Sequence, residues 1–287
     1  MSRSCAITRL FAFLAVTTLF LHGSFPAYAK QSEETQHSVA ATAENGITLS
    51  YNVYAGGMRA LQASLDLDMA QHDYRIGLDA KTQGLIGRLF PWEGRFTTQG
   101  SKNNTNMIPD EYYAVSVWKR EERQTRMEFE NGMMTARHRI DSGQEITEDD
   151  FEDGMAKDAL DMLTATVKLL QESDGKENCA GSVPVFDGRR RFNLHFRDAG
   201  TGLIHKNRYS IFHGAAVKCI IEVEPLMGFR DRDKRRGWMA VQNHTKERKK
   251  MPTVWLSRLT EDGPVVPVRM EISSEYGAVI AHLAAVQ

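Results

Sequence analysis

The residues best suited to chemistry crowd into one stretch, "CAGSVPVFDGRRRFNLHF", from Cys179 to Phe196. Asp187 and the arginines 189–191 are the materials of an anion clamp, because a guanidinium meets a carboxylate or phosphate with two parallel hydrogen bonds. His195, His205 and His213 lie within 19 residues and could meet across strands as metal ligands. Beyond this stretch the motifs of catalysis are missing. There is no G-x-S-x-G, H-E-x-x-H, Walker loop or calcium loop, and "GTGLIH" at Gly200 lacks the third glycine of a dinucleotide site. The sequence therefore nominates no catalytic residue, no metal site and no cofactor.

A structural account of the same stretch starts from Asp187-Gly188, a two-residue hairpin signal between apolar-alternating runs. With those two residues as the loop, Phe186 pairs with Arg189 and Val185 with Arg190. Val183, Val185, Arg190, Phe192, Leu194 and Phe196 then share one face. Arg190 becomes the one charge on the apolar side, while Arg189, Arg191, Asn193 and His195 point outward. A half-buried arginine needs a partner, and Asp187, Glu222 and Glu224 are the nearest carboxylates by sequence. The candidate cluster is thus Asp187, Arg190 and Glu222, read as an internal ion pair ahead of a ligand clamp. On this register Arg190→Ala costs more stability than Arg189→Ala or Arg191→Ala.

The cysteines and charges depend on where the chain resides. Arg3 and Arg9 precede the apolar run "LFAFLAVTTLFL", and "AYA" at Ala27 supplies a small-x-small cleavage pattern before Lys30. Residues 1–29 read as a cleaved secretory signal, 30–45 as a flexible lead-in and 46–287 as a single β-rich domain. Removing Arg3 and Arg9 leaves 34 Lys and Arg against 37 Asp and Glu, a balance with no footprint for nucleic acid. Cys5 leaves with the leader, so Cys179 and Cys219 remain, and an oxidising compartment makes a bridge between them the expectation. Neither forms C-x-x-C, which argues against a redox or zinc role.

The elements that carry these residues are mainly strands. Ile47, Leu49, Tyr51 and Val53 alternate with polar residues, as do Leu61 to Met69 and Tyr74 to Leu78. Further strands are expected in "YYAVSVWKR", "TRMEFEN", "RFNLHF", "RYSIF", "AVKCIIEVE", "TVWLSRL" and "VVPVRMEIS". Leu160, Leu163, Val167 and Leu170 instead follow helical spacing, downstream of the acidic run that includes Asp149, Asp150, Glu152 and Asp153. About ten strands and one central helix predict a strongly curved antiparallel sheet, or open β-barrel, wrapped against that helix. The closing "EYGAVIAHLAAV" fits strand and helix equally.

The segment "FRDRDKRRGWMAVQNHTKERKK" carries nine Lys and Arg against three Asp and Glu. Arg230, Arg232, Lys234, Arg235, Arg236 and Trp238 are its candidates for contact with anionic lipid, each basic residue near such a surface contributing about 1 kcal/mol. A solvated hairpin has the same composition.

Several of these pieces occur together in a known pattern. "CAGSVPVFDGRRRFNL", "KCIIEVEPLMGFR", "TVWLSRL" and "PVRMEISSEYGAVIAHL", with the opening "SYNVYAGGMRALQASLDL", resemble the exported bacterial family called domain of unknown function 3108. The resemblance implies a periplasmic, β-rich cell-envelope protein in which Cys179 and Cys219 are the matched pair, and it implies no reaction. Two functions follow. One is a non-catalytic envelope protein that holds a lipid or other apolar ligand, or presents a surface to an envelope partner. The other is an enzyme acting on envelope lipid or peptidoglycan, with Asp187, Arg190 and a histidine as its polar cluster. An empty apolar cavity favours the first, and a polar cleft with convergent Asp, Arg and His the second.

Overall fold

The computed structural model describes residues 46–103, 106–146, 154–174, 178–235, 237–274 and 277–287. The leader at 1–29, the lead-in at 30–45, the acidic residues 149–153 and Arg236 lie outside them, as do the side chains of Arg232 and Lys234.

Alternation of apolar and polar residues over most of the chain produces one antiparallel sheet of 14 strands. In chain order these are β1 (Gly46–Ala55), β2 (Met58–Asp68), β3 (Asp73–Thr82), β4 (Trp92–Asn103), β5 (Asn106–Trp118), β6 (Glu121–Glu130), β7 (Met133–Asp141) and β8 (Gln144–Glu145). Then come β9 (Gly181–Phe186), β10 (Arg191–Ile204), β11 (Gly214–Met227), β12 (Thr253–Arg258), β13 (Val265–Ser274) and β14 (Gly277–Val286). The sheet runs from β8 back to β1, then β14 back to β9, so the first and last strands meet, with Leu49 paired to Val286. The closing stretch that periodicity left ambiguous is therefore a central strand. The outermost strands β8 and β9 share no ladder, and the sheet is open.

The strand count exceeds the ten or so expected because β4 and β7 are largely polar and hide their alternation. "RYSIF" is a correction in the other direction. It lies in the β10–β11 loop, where the Asn207 side chain accepts the N–H groups of Tyr209 and Ser210 at 2.9 and 3.1 Å and turns the backbone out of any ladder. That loop fills a split in the sheet. β13 and β14 pair only from Arg269–His282 to Ser274–Gly277, and beyond them Ile211 N–H donates to the Leu283 carbonyl at 3.0 Å.

Among the described residues four helices interrupt the strands where one was expected: α1 (Gly84–Leu89), α2 (Met162–Glu172), α3 (Asp231–Lys234) and α4 (Gly237–Glu247). α2 is the helix its apolar spacing predicts. It touches β4 and β5 on one side and β9, β10 and β13 on the other. Leu163 and Val167 pack with Tyr74, Tyr112 and Met127, while Ala165, Leu169 and Leu170 pack with Val183, Phe192 and Cys219. α3 and α4 occupy the basic segment, which is not a hairpin. Trp238, Val241, Gln242 and Thr245 recur at helical spacing beneath its charges. Gln242 also stands in for a missing strand, accepting the Val223 N–H at 2.6 Å and donating to its carbonyl at 2.8 Å where β12 no longer reaches β11.

Candidate functional site

The arginine turn differs from its predicted register by two residues. Phe186 pairs with Arg191 and Val185 with Phe192, so 187–190 form a four-residue loop. The cause is Asp187. Its Oδ1 accepts the N–H groups of Arg189 and Arg190 at 3.0 and 2.7 Å, and its own N–H donates to the Arg190 carbonyl at 3.1 Å. A shift of two preserves the faces, so Val183, Val185, Phe192, Leu194 and Phe196 are all buried as expected, but Arg190 leaves the strand for the loop.

Each arginine then ties the turn to something different. Arg190 pairs with the Asp187 Oδ2 at 2.6 Å, both side chains only 12% exposed, and lays its guanidinium over the Phe229 ring with 5.3 Å to the centroid. Arg189, expected to point outward, is equally buried and reaches Asp233 of α3 at 2.9 Å. Burial, with Arg190 beside it, pulls the Arg189 pKa down. Burial works to raise that of Asp233, but the hydrogen bonds from Arg189 and the Arg230 N–H, together with both arginine charges, hold it below the ordinary carboxylate range. Arg191, also expected outside, donates to the carbonyls of Gly154 and Met155 at 3.3 and 2.9 Å and to that of Lys157.

Two glycines let the turn close. Gly188, at φ +90°, sits where a Cβ would overlap the Thr125 methyl, and its carbonyl accepts from Arg137 of β7 at 2.9 Å. Gly228, at φ +74°, sits where a Cβ would overlap the Arg189 carbonyl. The opposite ends of the sheet thus approach one another at this turn. The free edge of β9 is bridged by Leu160, which donates to the Pro184 carbonyl and accepts from the Phe186 N–H, both at 2.9 Å.

The remaining sequence candidates are dispersed. Glu222 is taken by Arg197 at 2.7 Å and Lys246 at 3.6 Å, away from Asp187 and Arg190. His195 faces Glu224 at 3.2 Å, and among the described residues no three His, Cys, Asp or Glu side chains gather as metal ligands. Cys179 and Cys219 are disulfide-bonded, with Cα atoms 5.8 Å apart and both residues fully buried. In the basic segment Arg230 and Arg235 are exposed, whereas Trp238 packs against the core and donates to Gln242 at 3.2 Å.

Residue types alone did not single out a second polar cluster. Asp161 is fully buried and caps α2, accepting from the N–H groups of Leu163 and Thr164 at 2.9 and 3.0 Å. Its other oxygen accepts from Thr98 at 3.0 Å, and Thr98, Thr164 and Tyr74 continue the chain of hydroxyls at 3.2 and 2.9 Å. Burial raises the Asp161 pKa against the pull of those hydrogen bonds, and it raises those of Tyr74 and Tyr112 as well. An Asp placed just before the apolar run "MLTATV" is the signal that could have found it.

The interior around this network is filled by Leu49, Ile76, Met127, Met155, Val266, Val268 and Leu283, all fully buried. The larger concavity described, of about 500 Å³, lies on the outer face of β2 to β5. Lys81–Glu93 and Arg95–Asp79 pairs at 2.6 and 2.8 Å cross its floor. Among the described residues this arrangement offers an outer surface and no convergent Asp, Arg and His.

Residues 50–284 match the family model described as "Protein of unknown function (DUF3108)". The chain belongs to this family. Among solved structures, this DUF3108 protein is similar to the "Beta-barrel-like Protein of Domain of Unknown Function DUF1849 from Brucella abortus" at 9% identity. That likeness covers 84% of this chain and 97% of the other, with a TM-score of 0.42. No curated protein matches the sequence. Among the described residues of this DUF3108 member, no helix is long and apolar enough to cross a membrane.

Proposed function

We propose that this protein is an exported cell-envelope component that binds a neighbouring envelope structure at its outer surface and catalyses no reaction. The observation that carries this reading is the pairing of Asp187 with Arg190 at 2.6 Å, which turns the residues best suited to chemistry into a closure for the sheet. The disulfide between Cys179 and Cys219 suits an oxidising compartment such as the periplasm. In this reading the sheet wraps α2 as an open barrel, and a filled interior favours surface contact over a carried acyl chain.

Native mass spectrometry of the protein extracted from a bacterial periplasm without detergent tests it. The expected mass is that of residues 30–287 less the two hydrogens lost to the disulfide. A discrete added mass in the lipid range would replace surface binding with a carrier, and a cytoplasmic, reduced, full-length chain would remove export altogether.

A further inference from the structure

At the end of the sheet where β1 turns into β2, β3 passes through α1 into β4 and β5 turns into β6, apolar side chains face outward together. Leu85 and Leu89 stand one helical turn apart on α1, 59% and 56% exposed, and Met58 of β2 is 53% exposed. Scattered single leucines on a surface need no explanation, but a cluster of three at one end of a sheet does. α1 is already anchored from beneath. Ile86 is buried with Ala55 and Ala60, the Gln83 N–H donates to the Ala60 carbonyl at 2.9 Å, and Thr82 Oγ1 donates to the Phe90 carbonyl at 3.0 Å. The outward leucines are therefore held in place before any partner arrives.

The surroundings identify the partner. Phe90 stacks on Trp118 with centroids 6.4 Å apart, and Lys119 Nζ lies 5.7 Å from the centroid of the Trp118 ring. Tryptophan beside exposed apolar residues is the composition of a water–membrane boundary. Arg59, Arg88, Lys119 and Arg120 are exposed around these residues, with Glu121 and Glu122 the exposed acids at the same turn, while Glu93 is held by Lys81. An apolar tip ringed by positive charge complements a surface that is apolar within and negative at its face.

We propose that the α1 end is a docking tip for an anionic lipid bilayer. Leu85 and Leu89 enter the boundary between headgroups and acyl chains, and Arg88, Lys119 and Arg120 meet lipid phosphates. This rests on the envelope reading above, and it assigns the lipid contact to α1 rather than to the basic segment at 230–250.

Flotation of the mature chain with phosphatidylethanolamine–phosphatidylglycerol vesicles, against phosphatidylcholine vesicles, tests it. The wild type is expected to float with the anionic vesicles. Leu85→Asp with Leu89→Asp weakens that by about a hundredfold at an unchanged melting temperature, and Arg88→Glu with Lys119→Glu, or high salt, weakens it by about tenfold. Wild type that stays at the bottom of the gradient overturns the proposal, as does a double aspartate variant that floats like wild type. A wild-type dimer that the aspartates convert to monomer overturns it too, because the tip would then be a contact between copies. A correctly exported, disulfide-bonded chain that ignores vesicles sinks the tip alone and leaves the envelope reading standing.

Discussion

Around the turn at 187–190, Asp187, Arg189, Arg190, Arg191 and Asp233 each have a partner within the chain, whereas the α1 end of β2 and β3 leaves Leu85 and Leu89 facing outward. The first region has a sequence dense in functional residue types; the second, "GLIGRLFPW", does not. What separates them is satisfaction. Charges that are neutralised by partners within the chain have little left for a ligand, while apolar surface held rigid and left wet retains a driving force for association.

That comparison predicts large stability effects around the turn and none at the tip. Cys179→Ser comes first. Its bridge to Cys219 spans a sequence separation of 40 at the end of β9 and β10 opposite the turn, and losing it costs roughly 4 kcal/mol in the chain-entropy model. The melting temperature under oxidising conditions should fall by about 10 °C, and an unchanged melt would remove the staple. Gly228→Ala should follow at about 3 kcal/mol by denaturant titration, since the substitution adds an overlap with backbone to a positive φ. Neutral behaviour there would mean the turn can open.

Next are the arginines. Arg189→Ala and Arg190→Ala should each cost about 1–3 kcal/mol, because each strands a nearly buried carboxylate, and Arg191→Ala should cost less, because two of the three carbonyls it leaves are exposed. A loss confined to Arg190 would restore the two-residue hairpin. A smaller effect belongs to His282, where burial, followed by the neighbouring Arg269, lowers the pKa below 6.5. The unfolded chain takes up a proton that the folded chain resists, so stability is retained above that pH and declines as pH falls through and below it. His282→Gln should make that acid-side decline shallower in urea titrations, and an identical decline would show that other groups govern it. Smallest is Leu85→Asp with Leu89→Asp, expected to leave the melting temperature unmoved. A marked destabilisation would make the tip part of the core.

Much of this architecture was legible because strands and α2 announce themselves by period. Leu49, Tyr51 and Val53 are buried on the face their alternation assigns, and Leu163 and Val167 lie on the inner stripe of α2. The turn was harder. Asp187-Gly188 signalled a hairpin correctly, but loop length depended on which N–H groups the Asp187 carboxylate would accept, a choice among local geometries of similar sequence cost. α4 was hidden because nine basic residues in its neighbourhood dominate the composition while Trp238, Val241, Gln242 and Thr245 keep the helical period.

By itself the sequence determined the mainly β class, the buried faces of its strands, the position of α2 and the two cysteines available to pair. These are consequences of periodicity and residue type, which act over a few neighbours along the chain. Only the tertiary structure decided that Arg189 would meet Asp233, that Asp161 would gather Thr98, Thr164 and Tyr74, and that Leu85 and Leu89 would be left facing outward. Those outcomes depend on which distant segments arrive at the same place, and burial and hydrogen-bond satisfaction are settled only there.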